Sequence, residues 1–237
     1  MAAVFFDLVG TLVDDESDIA AHELLMAAMR KRFALEDSAA ELLGEYHLLG
    51  SDQLEEERRS GARRGPSFTR AYTATFVAML EKRGFRAKPE DEAWFHEAYF
   101  DCHRRRVKLM PEARATLART RKLGVHVGLI SDIDRPMLAD HLDFLKLAQA
   151  FDSVTCSEDA RALKPDGRVF AFALRQASCP AREALMVGDS LERDVDGALA
   201  TGMQAILIDR HNARVTDAPR LRNLKRVPAL ARKMLEL

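Results

Sequence analysis

The stretch Ala3-Val4-Phe5-Phe6-Asp7-Leu8-Val9-Gly10-Thr11-Leu12 decides how the rest of the chain is read. Ala3 to Phe6 is a continuous apolar run, which predicts a short buried strand, and Gly10 permits the sharp turn that must leave it. Asp7 then stands at the carboxyl end of that strand, where open α/β sheets bind their ligands. An acidic side chain there has two readings: it caps a turn or pairs with a base, or it does chemistry.

Working outward, residues 17 to 33 and 38 to 49 carry apolar residues at helical spacing. The polar segment Glu55-Glu56-Glu57-Arg58-Arg59-Ser60-Gly61-Ala62-Arg63-Arg64-Gly65-Pro66 separates them from a helix capped by Ser67 and ending before Gly84. Another helix follows Pro89, and the pattern predicts no strand between residues 16 and 106. Beyond that point strands and helices alternate. Apolar runs end at Ser131, at Ser157, at Asp189 and at Asp209, the last being the last clear strand. Such alternation implies βαβ units and a parallel sheet. The predicted architecture is α/β: a Rossmann-like parallel sheet flanked by helices, residues 1–15 and 104–237, with an all-helical cap, residues 16–103, inserted after the first strand.

Composition sets limits on function. The 237 residues are long enough for a well-buried core and a second module. A formal net charge of -1 argues against general nucleic-acid binding, which usually needs a basic surplus. Three scattered cysteines, Cys102, Cys156 and Cys179, have no ligand spacing and imply no disulfide framework. No basic region followed by a long apolar one opens the chain, and no run approaches the ~18 apolar residues of a membrane helix. The expectation is a cytoplasmic protein with no nucleic-acid or membrane partner; its oligomeric state is not legible.

The segment Phe5-Phe6-Asp7-Leu8-Val9-Gly10-Thr11-Leu12 resembles the signature of the haloacid dehalogenase superfamily, a group dominated by aspartyl-phosphate phosphatases. Three further pieces match it in order and context: Ser131 at a strand end, Lys164-Pro165, and Val187-Gly188-Asp189-Ser190 through Asp194. The resemblance implies that Asp7 is the nucleophile, that Ser131 and Lys164 hold the phosphoryl oxygens, and that the substrate is a small phosphorylated metabolite. It also implies Mg²⁺ held by Asp7, the Val9 carbonyl and Asp189, with Asp194 bound directly or through water. An anionic nucleophile meeting an anionic phosphate needs such positive charge, and Mg²⁺ prefers hard oxygen donors. Thr11 and Asp132 are candidate substrate contacts, Asp132 being otherwise a solvated turn residue. In the cap, Arg63 and Arg64 are candidates for an anionic substrate group, against a solvated loop. The cap residues His22, His47, His96 and His103 show no metal-ligand spacing and read as surface or satisfied.

One position departs from the pattern. The family's phosphatases carry a second Asp two residues after the first, as general acid and base, and here that residue is Val9. Two alternatives to a phosphatase therefore stand. One is a relative that cleaves a phosphonate or halide bond. The other is an impaired member that binds metal, phosphate or a protein.

Overall fold

The computed structural model describes residues 1–60, 65–214 and 216–237. Its sheet has six parallel strands, β1 (Ala3–Phe6), β2 (His126–Ser131), β3 (Ser153–Cys156), β4 (Ala184–Gly188), β5 (Gln204–Ile208) and β6 (Arg220–Leu221), in the order β3-β2-β1-β4-β5-β6. The chain builds outward from β1 to β3 and then returns to lay β4 on the other edge of β1. That reversal opens a crevice at the carboxyl ends of β1 and β4. Phe6 pairs with Leu129 of β2 and with Val187 of β4, so Asp7 comes level with Ile130 and Gly188, one residue ahead of Ser131 and Asp189 at the same edge of the sheet.

The strands are apolar on both faces because both are covered. Val4, Phe6, Leu129, Val187 and Ile206 point into one buried cluster, while Ala3, Phe5, Ile130, Met186 and Leu207 point into the other. This is the two-residue period of a pleated strand.

Between β1 and β2 run four helices, α1 (Asp15–Arg32), α2 (Ala39–Ser60), α3 (Phe68–Glu81) and α4 (Pro89–Arg106). They enclose a third cluster around Met26, Met29, Tyr46, Phe76 and Phe95, joined from the sheet side by Met137 and Leu163. Phe76 and Phe95 stack with ring centroids 4.5 Å apart, a spacing at which aromatic pairs contribute beyond their buried area. Acidic residues open α1 and basic residues close it, in keeping with the helix dipole. Ser67 caps α3, its hydroxyl accepting from the Arg70 N–H at 3.2 Å.

Helices α5 (Ala113–Arg121), α6 (Arg135–Phe144), α7 (Ser157–Ala160), α8 (Gly167–Ala177), α9 (Gly197–Ala200) and α10 (Val227–Met234) belong to the sheet layers. α5, α6 and α10 cover one face, and α8 with α9 covers the other.

Three elements differ from the sequence expectation. α2 continues to Ser60 through the polar run expected to end it, supported by Glu55–Arg59 and Glu55–Arg58 pairs one turn apart. β6 follows the run taken as the last strand; it is two residues long and partly exposed, so it leaves no apolar signature. Residues Leu191–Asp196 form a wide π turn ahead of α9 rather than regular helix, and wide turns of this kind frequently occur at functional sites. Among the described residues no helix is long and apolar enough to cross a membrane.

Candidate active site

Lys164 is the hub of the crevice. Its side chain is 2% exposed, and its Nζ donates to Asp7 Oδ1 at 2.5 Å and to Asp194 Oδ1 at 2.6 Å. The approach to Lys164 is fixed by Asp132, whose Oδ1 accepts the Lys164 backbone N–H at 2.8 Å. Asp132 is therefore buried and structural, not the solvated turn residue its position suggested. The sequence missed the reason, because Asp132 and Lys164 are brought together only by the tertiary fold.

Two close backbone approaches hold the other carboxylates. Gly10 has φ +86°, and a Cβ there would lie 2.5 Å from Asp189 Oδ2. A Cβ on Gly188 would lie 2.3 Å from Asp194 Cγ. Both positions thus need glycine. Thr11 is fully buried and donates to Asp189 Oδ1 at 3.0 Å, so it orients that carboxylate. The wide turn after β4 folds Asp194 back onto its own start, where Oδ2 accepts from the Ser190 N–H at 3.0 Å. Asp7, Asp189 and Asp194 then each offer an oxygen within 4.8 Å of the others.

The electrostatics follow from burial. Desolvation pushes the Asp7 carboxyl up to about 8; Lys164 opposes this, while Asp194 and Asp189 reinforce it. Burial and then Asp194 also raise Asp189. Burial acts to lower Lys164, but Asp194, Asp7 and Asp132 outweigh it and hold the ammonium charged. Counting Asp7, Asp132, Asp189 and Asp194 against Lys164 and Arg193, the ionised site carries two negative charges in excess. A divalent cation bound by hard oxygen donors fits both that charge and that donor set.

A cavity of about 170 Å³ lies over these groups. Asp7, Ser131, Asp132 and Lys164 form its floor, with Val9 beside them. The helical insert supplies the opposite wall through Asp18 and His22 of α1, Phe68 and Tyr72 of α3, and Tyr99 of α4, with His141 and Arg193 at the sides. Arg193, 3.9 Å from Asp132, went unrecognised in the sequence. So did the buried histidines. His22 and His103 are neither surface residues nor satisfied ones: both are buried and leave Nε2 unpartnered. Their signal was there to be read, since Asp18 and His22, and Tyr99 and His103, are one helical turn apart.

Of the arginines in the helical insert, Arg63 and Arg64 lie outside the described residues. Arg59 pairs with Glu55, and Arg70 with Glu57. Arg58 reaches the sheet side, donating to the Lys164 carbonyl at 3.1 Å. The insert is tied down a second time by Asp134, which is buried just past β2. It accepts from Ser67 Oγ at 2.6 Å and from the Phe68 and Thr69 N–H groups at 3.0 and 2.8 Å.

A family profile described as haloacid dehalogenase-like hydrolase matches residues 1–202. The chain belongs to that family. Among haloacid dehalogenase-like relatives it is 32% identical over 209 residues to the phosphoglycolate phosphatase of Pseudomonas fluorescens, covering 86% of this chain and 68% of that one. It is also 31% identical over 134 residues to the ribulose-1,5-bisphosphate 5-phosphatase of Halopiger xanaduensis, covering 56% of each. The matched region spans just over half the length of the first such relatives. A solved family structure, the 2-haloacid dehalogenase of Pseudomonas syringae pv. Tomato DC3000, has a TM-score of 0.73 at 25% identity over 98% of this chain and 99% of that one.

Proposed function

We propose that this haloacid dehalogenase-like hydrolase is a phosphatase that acts on a small phosphorylated metabolite through an aspartyl-phosphate on Asp7. The observation that carries the reading is the Asp7–Lys164–Asp194 contact beside Asp189 at the switch point of the sheet. Residues 1–15 and 104–237 would serve as the catalytic core and residues 16–103 as a cap that sets substrate choice and excludes water.

In this mechanism an Asp7 carboxylate oxygen attacks phosphorus, the ester P–O bond breaks, and the leaving oxygen departs with the electron pair. Water then cleaves the acyl phosphate and restores Asp7. Lys164 lowers the cost of bringing Asp7 to a phosphate anion, and Ser131 is placed on the floor to donate to a phosphoryl oxygen. Asp7, Asp189, Asp194 and the Val9 carbonyl would hold Mg²⁺, which when bound supplies positive charge to the phosphoryl oxygens. Thr11 serves the site by holding Asp189. Asp132 serves it by holding Lys164.

Val9 brings no titratable group to the leaving oxygen. The chemistry then favours esters whose leaving group carries negative charge well.

A second reading, halide displacement from a haloacid by the same Asp7, is favoured by Val9, since halide needs no proton. The carboxylates Asp189 and Asp194 count against it, because they need a cation that displacement of halide does not. Phosphate release from a panel of phosphorylated acids and sugars, with Mg²⁺ and with chelator, tests the first reading. Halide release from 2-haloacids without metal, and no metal-dependent phosphate release, would replace it with the second.

A further inference from the structure

Across the cavity from Asp7 stands a second cluster of ligand-type side chains. Asp18 of α1, His103 of α4 and His141 of α6 place a carboxylate oxygen and two ring nitrogens within 4.8 Å of one another. Both rings are fixed by the same device. His103 Nδ1 lies 2.7 Å from the Tyr99 carbonyl, and His141 Nδ1 lies 2.8 Å from the Met137 carbonyl. A carbonyl can only accept, so each Nδ1 carries the proton and each Nε2 presents a lone pair. Histidines that bind metal are oriented by this kind of outer hydrogen bond.

The inner face of the cluster is otherwise unexplained. His103 is 0% exposed and its Nε2 has no hydrogen-bond partner. The nearest acidic atom, Asp18 Oδ1, is 3.6 Å away, and with Nδ1 protonated both facing atoms are acceptors. A fully buried ring acceptor turned toward a partly exposed carboxylate oxygen is costly. His22 adds a further buried, unpartnered Nε2, its ring centroid 5.0 Å from that of His103.

We propose that Asp18, His103 and His141 bind a first-row divalent transition-metal ion of the zinc type, at a site separate from the carboxylates around Asp7. Two imidazole nitrogens select such an ion over Mg²⁺. Zinc bonds of about 2.0–2.1 Å put tetrahedral ligand atoms about 3.4 Å apart. The Asp18–His103 separation of 3.6 Å already meets that spacing. Three protein ligands leave a coordination position free, as in zinc sites that take up water or substrate. Asp18 and His141 both line the cavity over Asp7, so that position opens toward it. The site does not depend on which bond Asp7 cleaves.

The test is titration of chelator-stripped protein with Zn²⁺, and with Co²⁺ as a visible probe, under saturating Mg²⁺. Wild type and Asp189→Asn, which disables the carboxylate cluster, should each bind one equivalent, with Co²⁺ absorption bands of a nitrogen-containing site. Asp18→Asn and His141→Gln should each weaken binding by at least about 100-fold, since a lost ligand costs no less than a lost outer-sphere partner. Because these side chains are packed, the thermal midpoint provides a second readout. Zn²⁺ should raise it in wild type and in Asp189→Asn, and leave it unchanged in a folded Asp18→Asn variant. No binding in wild type, or binding that survives Asp18→Asn and vanishes in Asp189→Asn, would overturn the assignment.

Discussion

Replacing Lys164 with Met removes the ammonium that touches both Asp7 and Asp194, at 2.5 and 2.6 Å, in a position 2% exposed. At an effective dielectric constant of ~20 each contact is worth roughly 6 kcal/mol of gross attraction when its carboxylate is ionised. Desolvation of the buried charges offsets much of that, and breaking a buried pair by removing one partner costs about 3–5 kcal/mol net. With a urea m-value of ~3 kcal/mol/M the unfolding midpoint should fall by about 1–2 M in metal-free buffer. Turnover should fall by about 10²–10³, the usual loss when a preorganised stabilising donor is removed. A double-mutant cycle separates the charge effect from lost packing. Lys164→Met with Asp194→Asn should be less destabilised than the two single changes added, by more than ~1 kcal/mol, because the second change removes a charge that the first left unpaired. Additive changes, or a Lys164→Met variant as stable as wild type, would refute the view that Lys164 offsets these carboxylates.

Three other outcomes are expected. The folded Asp7 carboxyl titrates near 8 against an ordinary 3.8, so the folded state holds a proton that the unfolded chain has lost; metal-free stability should therefore fall as pH rises from 6.5 to 8, and unfolding curves of Asp7→Asn should lack that slope. Val9→Asp should raise turnover of alkyl phosphates by up to about 10²–10⁴, the range of a placed general acid, whereas a shallow dependence of wild-type rate on leaving-group pKa would mean another group already supplies the proton. Asp134→Ala, which strips three hydrogen bonds from the start of α3, should cost about 2–4 kcal/mol in chemical denaturation, from a lost cap and lost charged hydrogen bonds.

What could be read in the sequence was what local patterns encode. β1 falls on Ala3–Phe6 and α3 starts behind Ser67 because an apolar run and an N-cap are properties of neighbouring residues. Asp7, Ser131 and Asp189 stood out because each sits at a strand end, and Lys164 because it takes its place among them in the order of the resembled motifs. The rest depends on contacts between distant residues. Asp132 looks like a solvated turn until the Lys164 N–H, 32 residues on, is brought to it. Asp18, His103 and His141 lie on three helices and share no spacing that a scan along the chain would detect. β6 exists through its pairing with Leu207 and Ile208, and its own Arg220-Leu221 carries no strand signal. α2 outlasts its apolar pattern because charged pairs on its surface sustain it.

The loop leaving β2 works as a lever arm. Within four residues it sets Ser131 in the cavity floor, anchors Lys164 through Asp132, and grips the first turn of α3 through Asp134. Arg58 pulls on the same lysine from α2. A rotation of the helical insert that opened the cavity would have to break the Asp134 bonds or drag this loop along, and dragging the loop shifts the charge that faces Asp7. In the proposed phosphatase, gating and catalytic alignment would therefore share one mechanical linkage. A substitution at Asp132 or Asp134 would then change the rate of opening and the rate of chemistry together.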